Sequence, residues 1–304
     1  MRRIFLFLIT AAMMQAASFY LTVAGLGGEP DYEQRFTGWA TDMSKLLANE
    51  PGAKVETLTG AQATKENIEA KLRAIAAAAK AEDTFVLFLI GHGSYDTDFK
   101  FNIPGKDISG AELSALLNRI PARTVIVNAA SASGGAIPTL QKDKRVVISA
   151  TKSGTEKNAT VFARYWVEAF RDAAADADKN QTLTALEAYK YAMTKVAGYY
   201  ETQKRLSTEH GLLEDTGKGE GVKDPSAANG QGLNAGRMPI LHLGSVASYV
   251  NDPKKQDLLK QKDALETQID ELKYRKAAVS EREYQTEMRR LLLELAKVQA
   301  GLDQ

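Results

Sequence analysis

The sequence predicts an α/β fold, a mostly parallel sheet with helices on both faces, followed by a C-terminal helical hairpin. Three observations carry that reading. Between Phe19 and Ala150, short apolar runs of strand length alternate with amphipathic stretches of helical period. The run Phe85 to Ile90 has no polar position at all, as a strand covered on both faces requires. From Pro253 onward the composition changes to lysine, glutamate, glutamine and leucine, with apolar residues at steps of three and four.

In chain order, Phe19 to Ala24 is a strand that empties into the glycine-rich turn Gly25, Leu26, Gly27, Gly28. Tyr32, Phe36, Trp39, Met43, Leu46 and Leu47 share one face of the helix that follows. Val55 to Leu58 is a short strand. Thr64 caps a second helix carrying Ile68, Leu72 and Ile75, with an alanine-rich tail to Ala79. The buried strand Phe85 to Ile90 then stops at Gly91, His92 and Gly93. After a polar and aromatic loop, Ser109 caps a helix bearing Leu113, Leu116, Leu117 and Ile120, and Pro121 lies just past its end. Thr124 to Asn128 and Arg145 to Ala150 are further strands, the first running into the small residues Ala129 to Gly135. An aromatic-rich helix spans Ala159 to Ala174. The strand–helix–strand order implies right-handed crossovers and parallel pairing.

The segment Asp176 to Glu187 has the spacing of an EF-hand calcium loop. Side-chain oxygens stand at its first, third, fifth, ninth and twelfth places (Asp176, Asp178, Asn180, Thr184 and Glu187), with Thr182 at the seventh. Gln181 replaces the glycine of the sharp turn, so the alternative is a loop that only caps the helix Leu183 to Tyr200. Glu214 to Gly236, rich in glycine and polar residues, reads as a long surface loop. Met238 to Leu243 is a last short strand. In the tail, Leu258, Leu265, Ile269 and Leu272 form one seam, and Tyr284, Met288, Leu291, Leu295, Val298 and Leu302 form another. Ser280 and Glu283 between them make a capping box, so the tail is two antiparallel helices, residues 253–304, that need a partner for their seams. Packing against the rest of the chain and self-association are both open.

Lysine and arginine total 39 against 38 acidic residues, which gives no reason to expect nucleic acid or an anionic membrane as partner. With no cysteine, disulfides, thiolate metal sites and thiol nucleophiles are excluded. Arg2 and Arg3 followed by the apolar run Ile4 to Met14 and the small residues Ala16, Ala17 and Ser18 have the layout of a signal peptide over residues 1–17, and so of export to the periplasm or beyond. Gly25, Gly27 and Gly28 are only a partial nucleotide fingerprint. His210 and His242 are too dispersed for a metal site and read as solvated or packed.

In a parallel sheet, chemistry collects outside the carboxyl ends of the strands, where His92 follows one strand and Ser131 the next. The Gly93 and Ser131 amides can there face one oxyanion position. The pattern of an apolar strand with Gly91-His92-Gly93, then about forty residues later an apolar strand with Ala130-Ser131-Ala132-Ser133-Gly134, resembles the legumain and caspase superfamily of cysteine peptidases, and among them exported bacterial legumain-like proteins. The resemblance spans Phe19 to Phe170. It implies a caspase-like fold, His92 as the catalytic histidine, Gly93 beside it, and Ser131 at the place of the nucleophilic cysteine; Ala129 stands where an acidic residue is usual. A thiol is partly ionised near neutrality, whereas a hydroxyl needs an intimate base and a third group to orient that base, for which Asp96 and Asp98 are the available candidates. The expected function is therefore a peptidase-fold pseudoenzyme that binds a peptide or protein. The alternatives are a serine hydrolase using Ser131 and His92, and an unrelated doubly wound binding protein in which those two residues are not neighbours.

Overall fold

The computed structural model describes residues 17–50, 52–244 and 252–304. The leader reading, residues 1–17, lies outside the described residues except for Ala17. In chain order the first strands and helices are β1 (Ser18–Ala24), α1 (Pro30–Leu47), β2 (Ala53–Leu58), α2 (Lys65–Ala78) and β3 (Thr84–Ile90). Three short strands follow, β4 (Gly93–Tyr95), β5 (Phe99–Phe101) and β6 (Ile108–Ser109), then α3 (Gly110–Leu117), β7 (Arg123–Asn128), α4 (Ile137–Leu140), β8 (Val146–Ser149) and α5 (Phe162–Ala169). The chain continues through β9 (Thr182–Thr184), α6 (Ala185–Thr202), β10 (Leu212–Glu214), α7 (Leu233–Gly236) and β11 (Pro239–His242) to the helices α8 (Pro253–Tyr274) and α9 (Glu281–Leu302).

The main sheet has the order β10-β8-β7-β3-β1-β2 and is parallel except for β10, which runs antiparallel to β8. From β1 the chain winds outward to β2, then returns to place β3 on the other side of β1. The winding direction therefore reverses between β1 and β3, whose carboxyl ends are joined by the Gly25 N–H donating to the Ile90 carbonyl.

Because side chains alternate along a strand, the central strands feed two cores. Tyr20, Val86, Phe88, Val125 and Val127 pack with Phe36 and Met43 of α1, Trp166 of α5 and Tyr189 of α6. On the opposite face Leu21, Phe85, Leu87 and Ile126 pack with Leu72 of α2, Leu113 of α3 and Leu140 of α4. Every residue of β3 is buried, as its unbroken apolar run predicts. Helix starts also follow the sequence. The Thr64 side chain accepts from the Asn67 N–H, and Ser109–Glu112, Thr184–Glu187 and Ser280–Glu283 form capping boxes.

Four segments differ from the expectation. The stretch after His92, expected as a loop, folds into the antiparallel sheet β4-β5-β6, because Phe99, Phe101 and Ile103 recur with period two and all turn inward. Strands β9 and β10, of three residues each, carry too little pattern to be seen. The glycine-rich segment 214–236 ends in α7 and is anchored: the buried Asp215 carboxylate accepts from the Gly232 and Ala235 N–H groups, and Gln231 donates to the Glu220 carbonyl.

The hairpin packs against the rest of the chain. Leu265, Ile269 and Leu291 close its seam. Tyr274 donates to the Gln231 carbonyl at 2.9 Å, Lys262 donates to the Asn180 carbonyl, Arg237 pairs with Glu271, and Asp263 meets His242. Among the described residues, no helix is long and apolar enough to cross a membrane.

Candidate active site

Strands β3 and β7 are neighbours, so the turns that leave their carboxyl ends lie side by side. His92 is on the first turn and Ser131 on the second, with Ser131 Oγ 3.5 Å from His92 Nδ1, the outer limit of a hydrogen bond. Gly93 is required by this approach: a Cβ there would sit 2.6 Å from the Ser131 carbonyl oxygen and 2.5 Å from the Phe99 ring. The reading in which His92 and Ser131 are apart is thereby overturned.

Ser131 is placed by a tight turn. Ala132, immediately after it, is left-handed at φ 57°, a conformation that costs a residue with a Cβ on the order of 1 kcal/mol. Two bonds hold it there: the Ala132 N–H donates to the Glu156 carbonyl at 2.7 Å, and its own carbonyl accepts from the Gly135 N–H at 3.0 Å. The result is a serine that is only 1% exposed.

The two amides expected to face an oxyanion are open. Asn102 N–H donates to the His92 carbonyl, which makes 92/102 the bonded pair of the β4–β5 ladder and turns the Gly93 N–H away from it. The Ser131 N–H has no partner among the described residues.

The imidazole of His92 lies against two aromatic rings of α1, edge-on to Tyr32 at 4.8 Å and to Phe36 at 5.2 Å. Burial holds its pKa below the usual histidine value, against the upward pull of the Gly27 backbone and Glu29; Arg35 adds to the depression. The ring is thus neutral at pH 7 and has a lone pair to offer. Gly27 is fixed in turn, since its N–H donates to Glu33 Oε2 at 2.8 Å and a Cβ on it would lie 2.3 Å from the Glu33 nitrogen.

Neither proposed orienting aspartate serves the histidine. The oxygens of Asp98 accept from the Phe99 and Ala111 N–H groups, so its task is to pin the start of α3, and Asp96 is exposed with no bond to His92. What orients the ring is the aromatic pair and a backbone group. Spacing places Tyr32 and Phe36 on the buried face of α1, and nothing in that spacing marks the first turns of a core stripe as the wall of a site.

Glu156 and His210 border the serine turn. Glu156 accepts from the His210 ring at 2.6 Å and from the His210 N–H at 3.2 Å. The adjacent Glu209 carboxylate is buried, caps α5 by accepting from the Val161 and Phe162 N–H groups, and is pushed by burial to a pKa of about 7.

The acidic loop lies elsewhere, beneath α8. Of its six candidate residues, the structure brings together carboxylate oxygens of Asp176, Asp178 and Glu187, mutually within 4.8 Å. Asn180 Oδ1 accepts from the Thr182 N–H, and Thr184 Oγ1 donates to Glu187 Oε2, so these two side chains are engaged within the loop. Thr182 is 1% exposed, and its hydroxyl, which has no partner, belongs to a residue lining the same cavity of about 340 Å³ as Asp178 and Glu187. Gln181 adopts φ 64°, the left-handed turn that glycine ordinarily supplies at that place. Burial, reinforced by Glu187 and Asp176, pushes the Asp178 carboxyl up to about 6.

No family model matches the chain, and no curated protein matches its sequence. Solved structures with a similar backbone include protein GSU0716 from Geobacter sulfurreducens, at 14% identity, a TM-score of 0.47 and coverage of 72% of this chain and 97% of that one. Caspase-1 from Spodoptera frugiperda follows at 13%, 0.46, 66% and 87%, and the Drosophila initiator caspase Dronc at 10%, 0.44, 68% and 82%. At these values the likeness is one of general chain arrangement, and no activity comes with it.

Proposed function

We propose that this chain is an exported legumain/caspase-like pseudoenzyme, a binding module that holds a peptide or protein segment at the carboxyl edge of its sheet and does not cleave it. The observation that carries the reading is the state of Ser131: a buried residue with its hydroxyl at the place of the superfamily's thiol, 3.5 Å from its histidine, and among the described residues no carboxylate hydrogen-bonded to that histidine. A serine nucleophile needs a close, oriented base, and this geometry supplies only the neutral ring. The open Gly93 and Ser131 amides suit a bound backbone carbonyl equally well. Export rests on the sequence of residues 1–17. The acidic loop is proposed to hold Ca²⁺ as a structural ion through Asp176, Asp178 and Glu187, with the unpartnered Thr182 hydroxyl beside it.

A second reading, a serine hydrolase using Ser131 and His92, is favoured by their adjacency alone. A fluorophosphonate probe on the mature protein separates the two. The pseudoenzyme gives no labelling in the wild type beyond that of Ser131→Ala and His92→Ala. Labelling of Ser131 that both substitutions abolish would overturn it.

A further inference from the structure

At the opposite, amino-terminal edge of the sheet, the end of α3, the start of β7 and the turn before β8 enclose a recess of about 480 Å³. Its charge is one-sided. Arg119, Arg123, Lys142, Lys144 and Arg145 line it with a single acid, Asp143. Although the protein as a whole is almost neutral, none of these five cations has a carboxylate within ion-pair distance among the described residues, and only Arg123, which also donates to Thr84, feels a carboxylate from another element, Asp263.

Arg145 is the informative member. It is 3% exposed, its Nη groups donate to two neutral acceptors, the Leu140 carbonyl at 2.9 Å and Asn118 Oδ1 at 3.0 Å, and its Nε–H is buried without a partner. Neutral acceptors orient a guanidinium but do not offset its charge, and a buried charge without a counter-ion is strongly unfavourable. Burial accordingly draws its pKa down to about 10. Capping the ends of α3 and α4 accounts for two of its five donors and explains neither the unsatisfied nitrogen nor the four other cations around one recess.

We propose that this recess is an anion site, in which the phosphoryl group of a soluble small molecule is held by Arg145 from the floor and by Arg119, Lys142 and Lys144 from the rim. A doubly charged tetrahedral oxyanion matches both the excess of cations and the fork of donors that a guanidinium presents. The site is independent of the His92 end. The six residues of β7 and the turn beyond it separate the two by about 20 Å.

The test is isothermal titration and thermal unfolding of the full chain with inorganic phosphate, pyrophosphate, malonate, vesicles carrying phosphatidic acid, and sodium chloride at matched ionic strength. Phosphate or pyrophosphate is expected to bind saturably and raise Tm above the chloride control. The double substitution Lys142→Ala, Lys144→Ala, at two exposed positions, should weaken that binding at least tenfold without lowering Tm in chloride. Arg145→Lys, which keeps the charge and loses the fork, should weaken it as well; if that variant does not fold, the exposed double variant decides alone. A phosphate response no larger than that of chloride overturns the site, as does an unchanged affinity in the double variant. An equal response to malonate overturns the phosphoryl assignment, and binding to vesicles without any response to soluble phosphate overturns the soluble ligand.

Discussion

His92 and His242 are the same side chain placed in opposite electrostatic surroundings. His92, at the lip of the sheet's carboxyl edge, has aromatic rings and a hydroxyl for neighbours. His242, on β11, is clamped between carboxylates, with Nδ1 2.5 Å from Glu50 Oε1 and Nε2 3.2 Å from Asp263 Oδ2, while its N–H donates to Glu50 Oε2. Burial alone would lower the pKa of both. At His242 the bonds to Asp263 and Glu50 outweigh burial and carry it up to about 10; at His92 nothing of that strength opposes it. One ring is a cation that fastens α8 to the rest of the molecule, and the other is a neutral base at a candidate site. A histidine is therefore assigned by its partners, not by its depth.

The largest test of that contrast is removal. His242→Ala leaves the buried Glu50 without its counter-charge and cuts the link to Asp263 of α8, a loss of about 3–5 kcal/mol. His92→Ala removes aromatic contacts and a bond at its distance limit, and should cost about 1 kcal/mol. Urea unfolding of both variants measures the difference. Equal losses would erase the distinction between clamp and base.

The pH dependence should split the pair in sign. His242 has a folded pKa raised above its ordinary 6.5, so its contribution is complete below pH 6.5 and is lost as pH rises towards about 10. His92 has a lowered folded pKa, so the unfolded chain takes up its proton first and stability falls on acidification below about pH 6.5. The Tm gap between wild type and His242→Ala should be widest in acid and close on the alkaline side, whereas wild type should lose ground to His92→Ala on the acid side. A change on the same side for both would show that one environment has been misassigned.

This division was only half legible in the sequence. The unbroken run Phe85 to Ile90 and the glycines around His92 located the carboxyl edge, and the spacing to Ser131 brought the pair together, because strand neighbours and crossover direction follow from local pattern. The orienting groups were not legible. Tyr32, Phe36 and the Gly27 backbone reach His92 from an element sixty residues earlier, and periodicity says only that two of them face inward. By its sequence His242 is merely packed or solvated, since Glu50 and Asp263 lie 192 and 21 residues away and no motif joins them. The seams of the hairpin are plain, but its docking depends on Lys262, which donates to the Asn180 carbonyl of the acidic loop, and on Asp263, which meets His242, and no motif marks either.

A smaller effect concerns the same docking surface from the metal side. With three converging carboxylates and Gln181 in place of glycine, the loop should bind Ca²⁺ weakly, with Kd on the order of 10⁻⁴–10⁻³ M. At 10 mM Ca²⁺ and the weaker limit, this adds about 1.4 kcal/mol of stability relative to EDTA. Because Asp178 takes up a proton near pH 6, the calcium response should shrink below that pH, and Asp178→Asn should abolish it. A calcium effect that persists in Asp178→Asn would place the ion elsewhere. The His242 clamp, which holds α8 without the ion, should remain intact in EDTA.

The finest test reads the two imidazoles by NMR titration after removal of one partner each. In Asp263→Asn, the His242 pKa should fall by more than one unit, since a carboxylate in contact is a main source of its elevation. In Ser131→Ala, the His92 pKa should move by less than about half a unit, because burial sets its depression and a hydroxyl at 3.5 Å adds little. That outcome fits a serine adjacent to a histidine without being coupled to it. A large change at His92 would instead reveal a working hydrogen bond between the two, and the weight would move from the binding module to the serine hydrolase.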